Sequence, residues 1–266
     1  MRPRIIFGRF LLRLGKFIQS LSVMVMRPDD LIEHMRNSYA EPKNVEVWSK
    51  NSLVDSGLHE DETIVLKKIP LKKGRLLLLG IGGGREAIPL GKMGFDITGV
   101  DFAPDLVKSA IQNTAQKGIN IEGIIQNITE LNVSENTYDI AWLSAGMYSC
   151  IPTRKKRIKM VKRVNASLKQ DGYFACQYLW TPRHMFSLKV EFARKAFAFL
   201  TLGNMSYEKG DVMWDDSHFV HLFRSEEEIR SEFEEGGFEV VHIDFPEGEV
   251  RRWAVLRKPV PNTRKN

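Results

Sequence analysis

The order of apolar runs along the chain predicts alternating strands and helices from residue 75 onward. Leu76–Leu79 is a short unbroken apolar run, which is typical of a central strand buried on both faces. Asp96–Val100, Ile121–Ile125, Asp139–Ser144 and Tyr173–Tyr178 continue the series as predicted strands. This alternation favours a parallel sheet that is covered by helices on both faces.

Proline, glycine and capping residues delimit the helices between these strands. Arg85–Met93 is the first predicted helix, and Pro89 must lie in its opening turn or kink it. Pro104 occupies a favoured first-turn position, and Gly118 is placed to end that second helix. Thr153–Leu168 is predicted to connect the fourth and fifth strands, with its lysines and arginines facing solvent.

The last part of the chain predicts one more helix and two more strands. Ser225 followed by Glu228 is a capping-box signature, and the glycines at 236–237 end that helix. Strands are predicted at 238–245 and 251–256. We expect these two strands to form an antiparallel hairpin that completes a seven-stranded, mostly parallel, doubly wound α/β sheet.

The first 28 residues predict an amphipathic helix. Arg9, Arg13 and Lys16 recur at spacings of four and three, which places them in one stripe. The remaining helix surface is apolar and carries Phe7, Phe10, Leu11, Leu14, Phe17, Ile18 and Leu21. The cations argue against a membrane span, which needs about 20 mostly uncharged residues, and no signal-peptide cleavage pattern follows. Two alternatives stay open: an in-plane membrane anchor, or a helix that packs its apolar face on the protein or on another subunit.

Composition fits a globular protein with a positive field. Of the 266 residues, 43% are apolar and 27% are charged, with a formal net charge of +6. Such a charge attracts anionic surfaces or substrates, but the basic residues form no recognised nucleic-acid motif. Cys150 and Cys176 have neither metal-ligand nor disulfide spacing. We therefore expect a cytoplasmic protein without a metal site, peripheral to a membrane if the first helix is an anchor.

A glycine-rich turn joins the first predicted strand to the first helix. Glycines at 80, 82, 83 and 84 let the backbone turn sharply and leave a helix N-terminus open to a ligand. Asp101 ends the next strand about 20 residues later, where a carboxylate can accept hydrogen bonds from both hydroxyls of a ribose. Together the turn and the acid predict an adenosine site.

A nicotinamide cofactor shares this geometry. The segment 82–87 satisfies the pattern G-x-G-x-x-A, so an NAD(P)-dependent oxidoreductase is an alternative. Against this alternative, the glycines follow a long N-terminal region instead of opening a domain. The predicted C-terminal hairpin also differs from a second mononucleotide-binding half.

From Gly57 to about Leu256 the chain resembles the class I S-adenosylmethionine-dependent methyltransferases, with motifs in the family's order. The segment 80–87 resembles the first motif, and 100–104 resembles the second, whose acid holds the ribose. The segments 138–144, 168–174 and 223–238 resemble the fourth strand, the turn into the fifth strand, and the late helix and strand. The resemblance implies a Rossmann-like fold and S-adenosylmethionine as the methyl donor.

The resemblance also implies which residues bind the donor. In chain order they are Gly80, Ile81, Gly82, Gly84, Asp101, Phe102, Asn127, Ile128 and Ser144. Asn127 stands where the family usually has an aspartate for the adenine amino group, and its amide oxygen can still accept a hydrogen bond. Many members carry an acid where this chain has Leu78. Recognition of the methionine moiety is therefore expected to rely on backbone groups or on the N-terminal region.

No catalytic base can be assigned from the sequence. The candidates are His184, His218 and His221, which follow the fifth strand, with Asp139 and Tyr148 near the fourth. Most histidines in proteins are structural or surface residues, and a base is required only for a poorly acidic hydroxyl or an ammonium acceptor.

The insertion that follows the fifth strand is expected to border the acceptor pocket. Phe186, Val190, Ala193, Phe197 and Leu200 follow helical spacing, which favours a helix that packs them onto the sheet. The aromatic content of the insertion indicates an apolar or ring-bearing acceptor.

These features divide the chain into five parts. They are an amphipathic basic helix (1–28), a helical extension (29–74), the donor-binding core (75–178), the insertion (179–224) and a C-terminal helix with a strand hairpin (225–266). The predicted function is methyl transfer from S-adenosylmethionine to a small, apolar or lipid-linked acceptor. A non-catalytic domain of the same fold that binds a membrane or a partner is a further alternative.

Overall fold

A computed structural model describes residues 2–181, 188–244 and 250–260. Its main sheet has seven strands in the spatial order β3-β2-β1-β4-β5-β9-β8, and β6 and β7 form a separate two-stranded ribbon. The strands are β1 (Gly74–Leu79), β2 (Phe95–Asp101), β3 (Glu122–Ile125), β4 (Tyr138–Leu143), β5 (Leu168–Leu179), β6 (Asp211–Met213), β7 (Phe219–His221), β8 (Glu239–Ile243) and β9 (Arg251–Arg257).

The described residues also form α-helices. They are α1 (Pro3–Val25), α2 (Pro28–Ala40), α3 (Pro42–Ser49), α4 (Asn51–Val54), α5 (Glu60–Lys67), α6 (Ala87–Lys92), α7 (Pro104–Gln116), α8 (Arg154–Ser167), α9 (Leu188–Leu200) and α10 (Glu226–Glu235). Helices α5, α6, α8 and α10 are among those that pack on the main sheet. Proline begins α1, α2, α3 and α7, a position where a missing backbone N–H costs nothing.

The predicted α/β architecture is confirmed. Strands β1 to β5 pair in parallel, and β9 pairs antiparallel with both β5 and β8. The order reverses between β1 and β4, because β1 is followed along the chain by β2 on one side while β4 lies on the other. Such a reversal leaves a crevice at the carboxyl ends of the strands, where open α/β sheets bind their ligands.

Two hydrophobic layers hold the sheet. Leu77 and Leu79 of β1 point into a core that includes α8 and α10 residues, whereas Leu76 and Leu78 point into the opposite core with α5 and α6 residues. The apolar run of β1 is therefore buried on both faces, as predicted. Leu78, the position where the resemblance led us to expect an acid, is fully buried in apolar surroundings.

The predicted solvent-facing basic surface of α8 is wrong at Arg157. Its side chain is about 1% exposed and forms a bidentate ion pair with Glu232 of α10. A third contact, of 2.7 Å, joins Arg157 to Glu208. The helical periodicity of an arginine is the same whether it faces solvent or a buried carboxylate, so the pattern of α8 alone could not distinguish the two.

The predicted packing face of the insertion helix is also wrong in part. Ala193 and Leu200 are exposed, Phe186 lies outside the described residues, and the side chain of Val190 is not described. Within α9 it is Arg194 and Ala198 that are buried. Ala198 packs in a small core with Val23 and Met24 from the end of α1, so α9 docks on α1 and not on the main sheet.

Candidate functional site

A cavity of about 400 Å³ opens at the carboxyl ends of β1, β2 and β4. This volume lies within the range of about 300–1,000 Å³ that is usual for small-molecule sites. The glycine turn after β1 forms its floor, and residues of α2, α3 and α4 form a second wall. The third wall comes from the segment 214–220 and the end of β5. The helical extension and the insertion therefore meet over the glycine turn.

Gly82 and Asp101 connect the glycine turn to the neighbouring strand. The backbone N–H of Gly82 donates to Oδ2 of Asp101 at 3.0 Å, and Ala103 N–H donates to Oδ1 at 3.0 Å. Gly82 has a φ of +53°, and a Cβ added there would meet no atom within 4 Å. The turn thus leaves open space directly beside the carboxylate.

The other glycines of the turn are needed for close packing. A Cβ on Gly80 would lie 2.2 Å from Sδ of Met147, and a Cβ on Gly83 would lie 2.3 Å from the carbonyl oxygen of Trp48. Trp48 is in α3, so the N-terminal extension rests directly on the backbone of Gly83. The turn is partly covered by protein at Gly83, but it opens into the cavity at Gly82.

Asp101 is almost buried but retains acceptor capacity. Burial raises the pKa of Asp101, while the N–H groups of Ala103 and Gly82 oppose that shift. An ionised carboxylate has about four acceptor positions. Backbone N–H groups of Gly82, Ala103 and Phe102 use part of this capacity, and the positions that they leave open can accept hydrogen bonds from a ligand.

A buried charged cluster forms the cavity wall beside the glycine turn. Arg85 donates to both carboxylate oxygens of Glu62 at 2.6 and 2.7 Å and to Glu86 at 2.7 Å. The hydroxyl of Ser144, just after β4, also donates to Glu86. Burial raises the pKa of Glu86, and the cation of Arg85 opposes that shift. With two carboxylates and one guanidinium, the cluster carries a net charge of −1 when all three groups are ionised.

A cluster of rings, formed by Tyr39, Phe102 and His218, lines the cavity opposite this charged cluster. The ring of Tyr39 stands edge-on to Phe102, with ring centroids 5.7 Å apart, and edge-on to His218 at 5.2 Å. The Nε2 atom of His218 is 3.1 Å from the hydroxyl oxygen of Tyr39. The carboxylate of Asp215 approaches Nδ1 of His218 at 2.8 Å.

Sequence comparison identifies the core of the chain. Residues 76–172 match the model of a family described as "Methyltransferase domain". A ubiquinone biosynthesis O-methyltransferase of Xylella fastidiosa is 36% identical over 67 residues, which cover 25% of this chain and 27% of that protein. A ubiquinone/menaquinone biosynthesis C-methyltransferase of Rickettsia prowazekii is 28% identical over 219 residues, which cover 75% of this chain and 83% of that protein.

The chain carries a methyltransferase domain over residues 76–172, as its resemblance to the class I S-adenosylmethionine-dependent methyltransferases led us to expect. S-adenosylmethionine, the methyl donor of that family, is accordingly the cofactor. The glycine turn and Asp101 are the candidate residues for binding it.

Solved structures of methyltransferases share this fold. The 1,6-didemethyltoxoflavin-N1-methyltransferase of Burkholderia thailandensis, solved with S-adenosylhomocysteine and 1,6-didemethyltoxoflavin, gives a TM-score of 0.61 at 16% identity. That match covers 89% of this chain and 92% of the other. An S-adenosylmethionine-dependent methyltransferase of Methanosarcina mazei gives 0.58 at 19% identity, covering 77% of this chain and 99% of the other. At these identities the likeness shows the fold alone.

Six of the predicted donor-binding residues of this methyltransferase line the cavity: Gly80, Ile81, Gly82, Asp101, Phe102 and Ser144. The other three lie behind its wall. Gly84 packs against the backbone of Ala110 in α7. Ile128 is buried in the core, and the amide oxygen of Asn127 accepts hydrogen bonds from Thr129 at 2.9 and 3.0 Å. The predicted role of these three in donor binding stays a prediction.

The candidate bases are dispersed. Asp139 lies at the amino end of β4, away from the cavity, where it accepts from Arg75 N–H and pairs with Lys169. Tyr148 is buried and donates to Glu232, and His221 is buried against Asp211. His184 lies outside the described residues. Among the candidates that the structure describes, His218 lines the cavity.

Several cavity residues were not predicted from the sequence. Tyr39 and Trp48 belong to the helical extension, and Asp215 follows Trp214 in the insertion. Glu86 lies within the segment 80–87 that resembles the first motif, but the sequence predicted no function for its side chain. A usable signal for Glu86 was an acid two residues after the last glycine of the turn. Tyr39 and Trp48 left no such signal, because only the tertiary fold brings α2 and α3 over the turn.

Within the described part of the chain, one group of side chains has metal-ligand proximity. Glu208, Asp211 and His221 offer atoms that lie within 4.8 Å of one another. Each of them already has a partner: Glu208 pairs with Arg157, and Asp211 accepts from His221 at 2.7 Å. The cation of Arg157 disfavours a metal ion here, so the group stabilises the β6–β7 ribbon against α8.

Proposed function

We propose that this protein transfers the methyl group of S-adenosylmethionine to a small, apolar, ring-bearing or lipid-linked acceptor. The observation that carries the proposal is a single cavity that joins two different surfaces. One surface is the glycine turn with Asp101, and the other is an apolar wall built by the helical extension and the insertion. Relatives named for ubiquinone and menaquinone biosynthesis support an acceptor of this class.

The adenosine part of the donor is assigned to the side of the cavity at β1 and β2. The Asp101 carboxylate lines the cavity and can accept hydrogen bonds from the ribose hydroxyls, and Gly82 leaves space beside it. Phe102 and Leu106 supply apolar surface next to that carboxylate for the adenine ring. These residues fit a nucleoside in shape, charge and hydrogen-bonding capacity.

The methionine part of the donor is assigned to Glu86. This carboxylate is 4% exposed, lines the cavity and belongs to a cluster with a net negative charge. An ammonium group beside it would neutralise the negative charge that remains on the cluster after Arg85 has paired with Glu86 and Glu62. Glu62 of α5, in the helical extension, supports this assignment through its ion pair with Arg85.

The acceptor is assigned to the space between β4 and the insertion. Met147, Cys150, Leu179 and Val220 make this part of the cavity apolar. Methyl transfer from a sulfonium is an in-line displacement, so the protein contributes mainly by holding the donor and the acceptor close together and away from water. An enclosed apolar wall opposite a charged donor site serves that purpose.

We further propose that α1 binds an anionic membrane surface. Among the described residues no helix is long and apolar enough to cross a bilayer. The apolar residues of α1 nevertheless face solvent: Phe7 is 62% exposed, Phe10 56%, and Ile18 58%. Residues 1–28 contain arginine and lysine but no acid, which makes the helix complementary to anionic headgroups.

Exposed apolar residues also occur at the end of α9, which contacts α1. Phe199 and Leu202, in and just after α9, are 66% and 74% exposed. A monomeric protein rarely exposes a large apolar patch without a binding role. A membrane that covers α1 and α9 would also be a source of lipid-linked acceptors.

Donor binding and turnover test the central proposal. Calorimetry should show binding of S-adenosylmethionine and no binding of NADH. Turnover is followed as S-adenosylhomocysteine, which forms only when an acceptor is methylated. A protein that binds NADH in preference, or that binds neither ligand, would refute the proposal.

A further inference from the structure

Three side chains that line the cavity, one from α2 and two from the insertion, form a continuous hydrogen-bonded series. Both carboxylate oxygens of Asp215 approach Nδ1 of His218, at 2.9 and 2.8 Å. Nε2 of the same ring is 3.1 Å from the Tyr39 hydroxyl. All three residues line the cavity that holds the proposed acceptor space. The series therefore runs from a carboxylate, through an imidazole, to a phenol at the cavity.

The protonation of this series follows from its ends. Partial burial would raise the pKa of Asp215, but hydrogen bonds from Ser217 and His218 lower it to about 2. Because an ionised carboxylate only accepts hydrogen bonds, Nδ1 of His218 carries the proton. Burial, together with the charges of Cys150, Asp101 and Asp215, raises the pKa of Tyr39, so its phenol stays protonated.

This arrangement leaves Nε2 with a lone pair, on a ring that lines the cavity. In the structure, the Tyr39 hydroxyl donates to that lone pair. A second hydroxyl that enters the cavity can replace this donor without any change in the ring tautomer. The Asp215 carboxylate then stabilises the imidazolium that forms when the ring accepts a proton.

We infer that His218 is the general base for an acceptor hydroxyl; this inference rests on the proposed methyltransferase function. The protein accordingly methylates a ring-bearing alcohol or phenol at oxygen. Asp215 is the positioning residue that fixes the tautomer of His218. Tyr39 is the hydrogen-bond donor that occupies Nε2 until the acceptor arrives.

The chemical step balances with these groups alone. The acceptor oxygen attacks the methyl carbon of the sulfonium, and a new carbon–oxygen bond forms. The carbon–sulfur bond breaks, and its electron pair stays on sulfur as a neutral thioether. The hydroxyl proton moves to Nε2 of His218, and the imidazolium later releases it to water.

The other polar groups at this wall are poorer bases. Burial, with a contribution from Asp215, raises the pKa of the Cys150 thiol to about 12, so it stays protonated. Asp101 accepts hydrogen bonds from the glycine turn, and Arg251 carries no acceptor. Among the described residues that line this space, His218 is the one whose neutral side chain offers a nitrogen lone pair, and Tyr39 is the donor that an acceptor hydroxyl must replace there.

The experiment uses two probes that differ in the reacting atom, oxygen or sulfur, and therefore in whether that group ionises without a base at neutral pH. An alkylated catechol needs a base at neutral pH, whereas the matching thiophenol ionises without help. His218→Asn should lower kcat for the catechol by about 10²–10⁴-fold, and change kcat for the thiophenol by less than about 3-fold. Raising the pH should restore the catechol rate in this variant, because the probe then ionises in solution.

A readout without turnover separates catalysis from binding. 4-Nitrocatechol absorbs visible light when it ionises, so its titration can be followed on the full chain loaded with S-adenosylhomocysteine. In the wild type, the bound probe should ionise at a lower pH than in His218→Asn. His242→Asn, on β8 and away from the cavity, is the matched control and should behave as the wild type.

Two more variants define the roles of the neighbours. Asp215→Asn should reduce catechol turnover with little change in KM, since an amide favours the wrong tautomer, and Asp215→Glu should restore part of the rate. Tyr39→Phe should retain the ionisation shift of the bound probe. A loss of the shift in Tyr39→Phe, with the shift retained in His218→Asn, would overturn the assignment of the base.

The outcomes distinguish this inference from the proposed function. If S-adenosylhomocysteine does not bind, the methyltransferase proposal itself is refuted. If it binds but 4-nitrocatechol does not, or if both probes lose activity equally in His218→Asn, the hydroxyl acceptor and its base are refuted while the donor site stands.

Discussion

The backbone N–H of Gly82 donates a 3.0 Å hydrogen bond to Oδ2 of Asp101, so the turn after β1 and the acid that ends β2 meet at one point. This contact fixes the carboxylate with one side toward the turn and the other toward the cavity. A ribose placed there would be held by a group whose orientation is set before the ligand arrives. Preorganised acceptors of this kind reduce the ordering that binding requires.

Replacing Asp101 by alanine should weaken the binding of S-adenosylmethionine by about 1.5–3 kcal/mol, the usual contribution of hydrogen bonds to a charged group. Calorimetry measures the change. Asp96→Ala, an exposed acid at the opposite end of β2, is the control and should bind the donor as the wild type does. Unchanged affinity in Asp101→Ala would show that the ribose lies elsewhere.

The two adjacent glycines of the turn should respond differently to alanine. Gly82→Ala places a methyl group in open cavity space at a positive φ, so it should cost about 1–2 kcal/mol of stability and reduce donor affinity. Gly83→Ala places its methyl group 2.3 Å from the Trp48 carbonyl oxygen, so it must displace α3. Urea unfolding should show the larger loss of stability for Gly83→Ala. Equal losses in the two variants would contradict the packing of α3 on the turn.

Glu86→Gln should weaken donors that carry the amino-acid moiety. S-adenosylhomocysteine has an ammonium group to pair with Glu86, whereas 5′-methylthioadenosine has the same nucleoside without it. We therefore expect a fall of about 10-fold or more for the first ligand and little change for the second. Glu60→Gln, an exposed acid at the start of α5, serves as the control. A parallel loss of both ligands would indicate a general disturbance of the cavity instead of a lost ammonium contact.

The core of the fold was predictable because its signals are local. The apolar run of β1, the glycines that follow it and the acid that ends β2 each depend on neighbours in sequence. The same is true of the Ser225 cap, which accepts from Glu228 N–H at 3.1 Å as predicted. The alternation of these elements was enough to predict the parallel sheet with its antiparallel final pair.

The acceptor wall was less predictable because it is assembled across long sequence distances. Tyr39 and His218 meet although 179 residues separate them. The burial of Arg157 likewise depends on Glu232, 75 residues away. A helical period cannot reveal which distant carboxylate or ring will face a given position, so these contacts required the three-dimensional structure.

Stability should decrease at alkaline pH as His221 loses its proton. Burial and Arg157 oppose protonation of this ring, yet its pKa is raised because Asp211 accepts a hydrogen bond from Nδ1 and the Glu228 carboxylate lies 3.4 Å from Nε2. Glu208 also faces the ring, at 3.7 Å. The folded pKa lies above the unfolded value of about 6.5. The stabilisation is therefore complete below that pH and is lost as the pH rises through the folded pKa.

Urea unfolding between pH 6 and pH 9 measures this effect. The wild type should lose stability over the interval, and His221→Gln should show a smaller loss because the titrating group is gone. His242→Gln controls for a histidine without the buried carboxylate partners. The same pH dependence in wild type and His221→Gln would assign the effect to another group.

The full-length chain should bind vesicles that contain anionic phospholipid and should not bind purely zwitterionic vesicles. The reason is that α1 combines exposed aromatic residues with cations and no acids over residues 1–28. Each cation near an anionic surface contributes roughly 1 kcal/mol, and this contribution falls with salt. Co-sedimentation at low and high ionic strength measures both effects.

Point variants separate membrane binding from packing. Phe10→Glu should abolish sedimentation with anionic vesicles, because it places a negative charge on the apolar face of α1. The Phe10 side chain is 56% exposed. Val47→Glu, an equally exposed apolar position on α3, should leave sedimentation unchanged. The free energy of unfolding should change little in either variant, since neither side chain is in the core. If the chain instead forms a dimer that Phe10→Glu dissociates, and vesicles bind neither form, α1 covers a second copy and the membrane assignment is wrong.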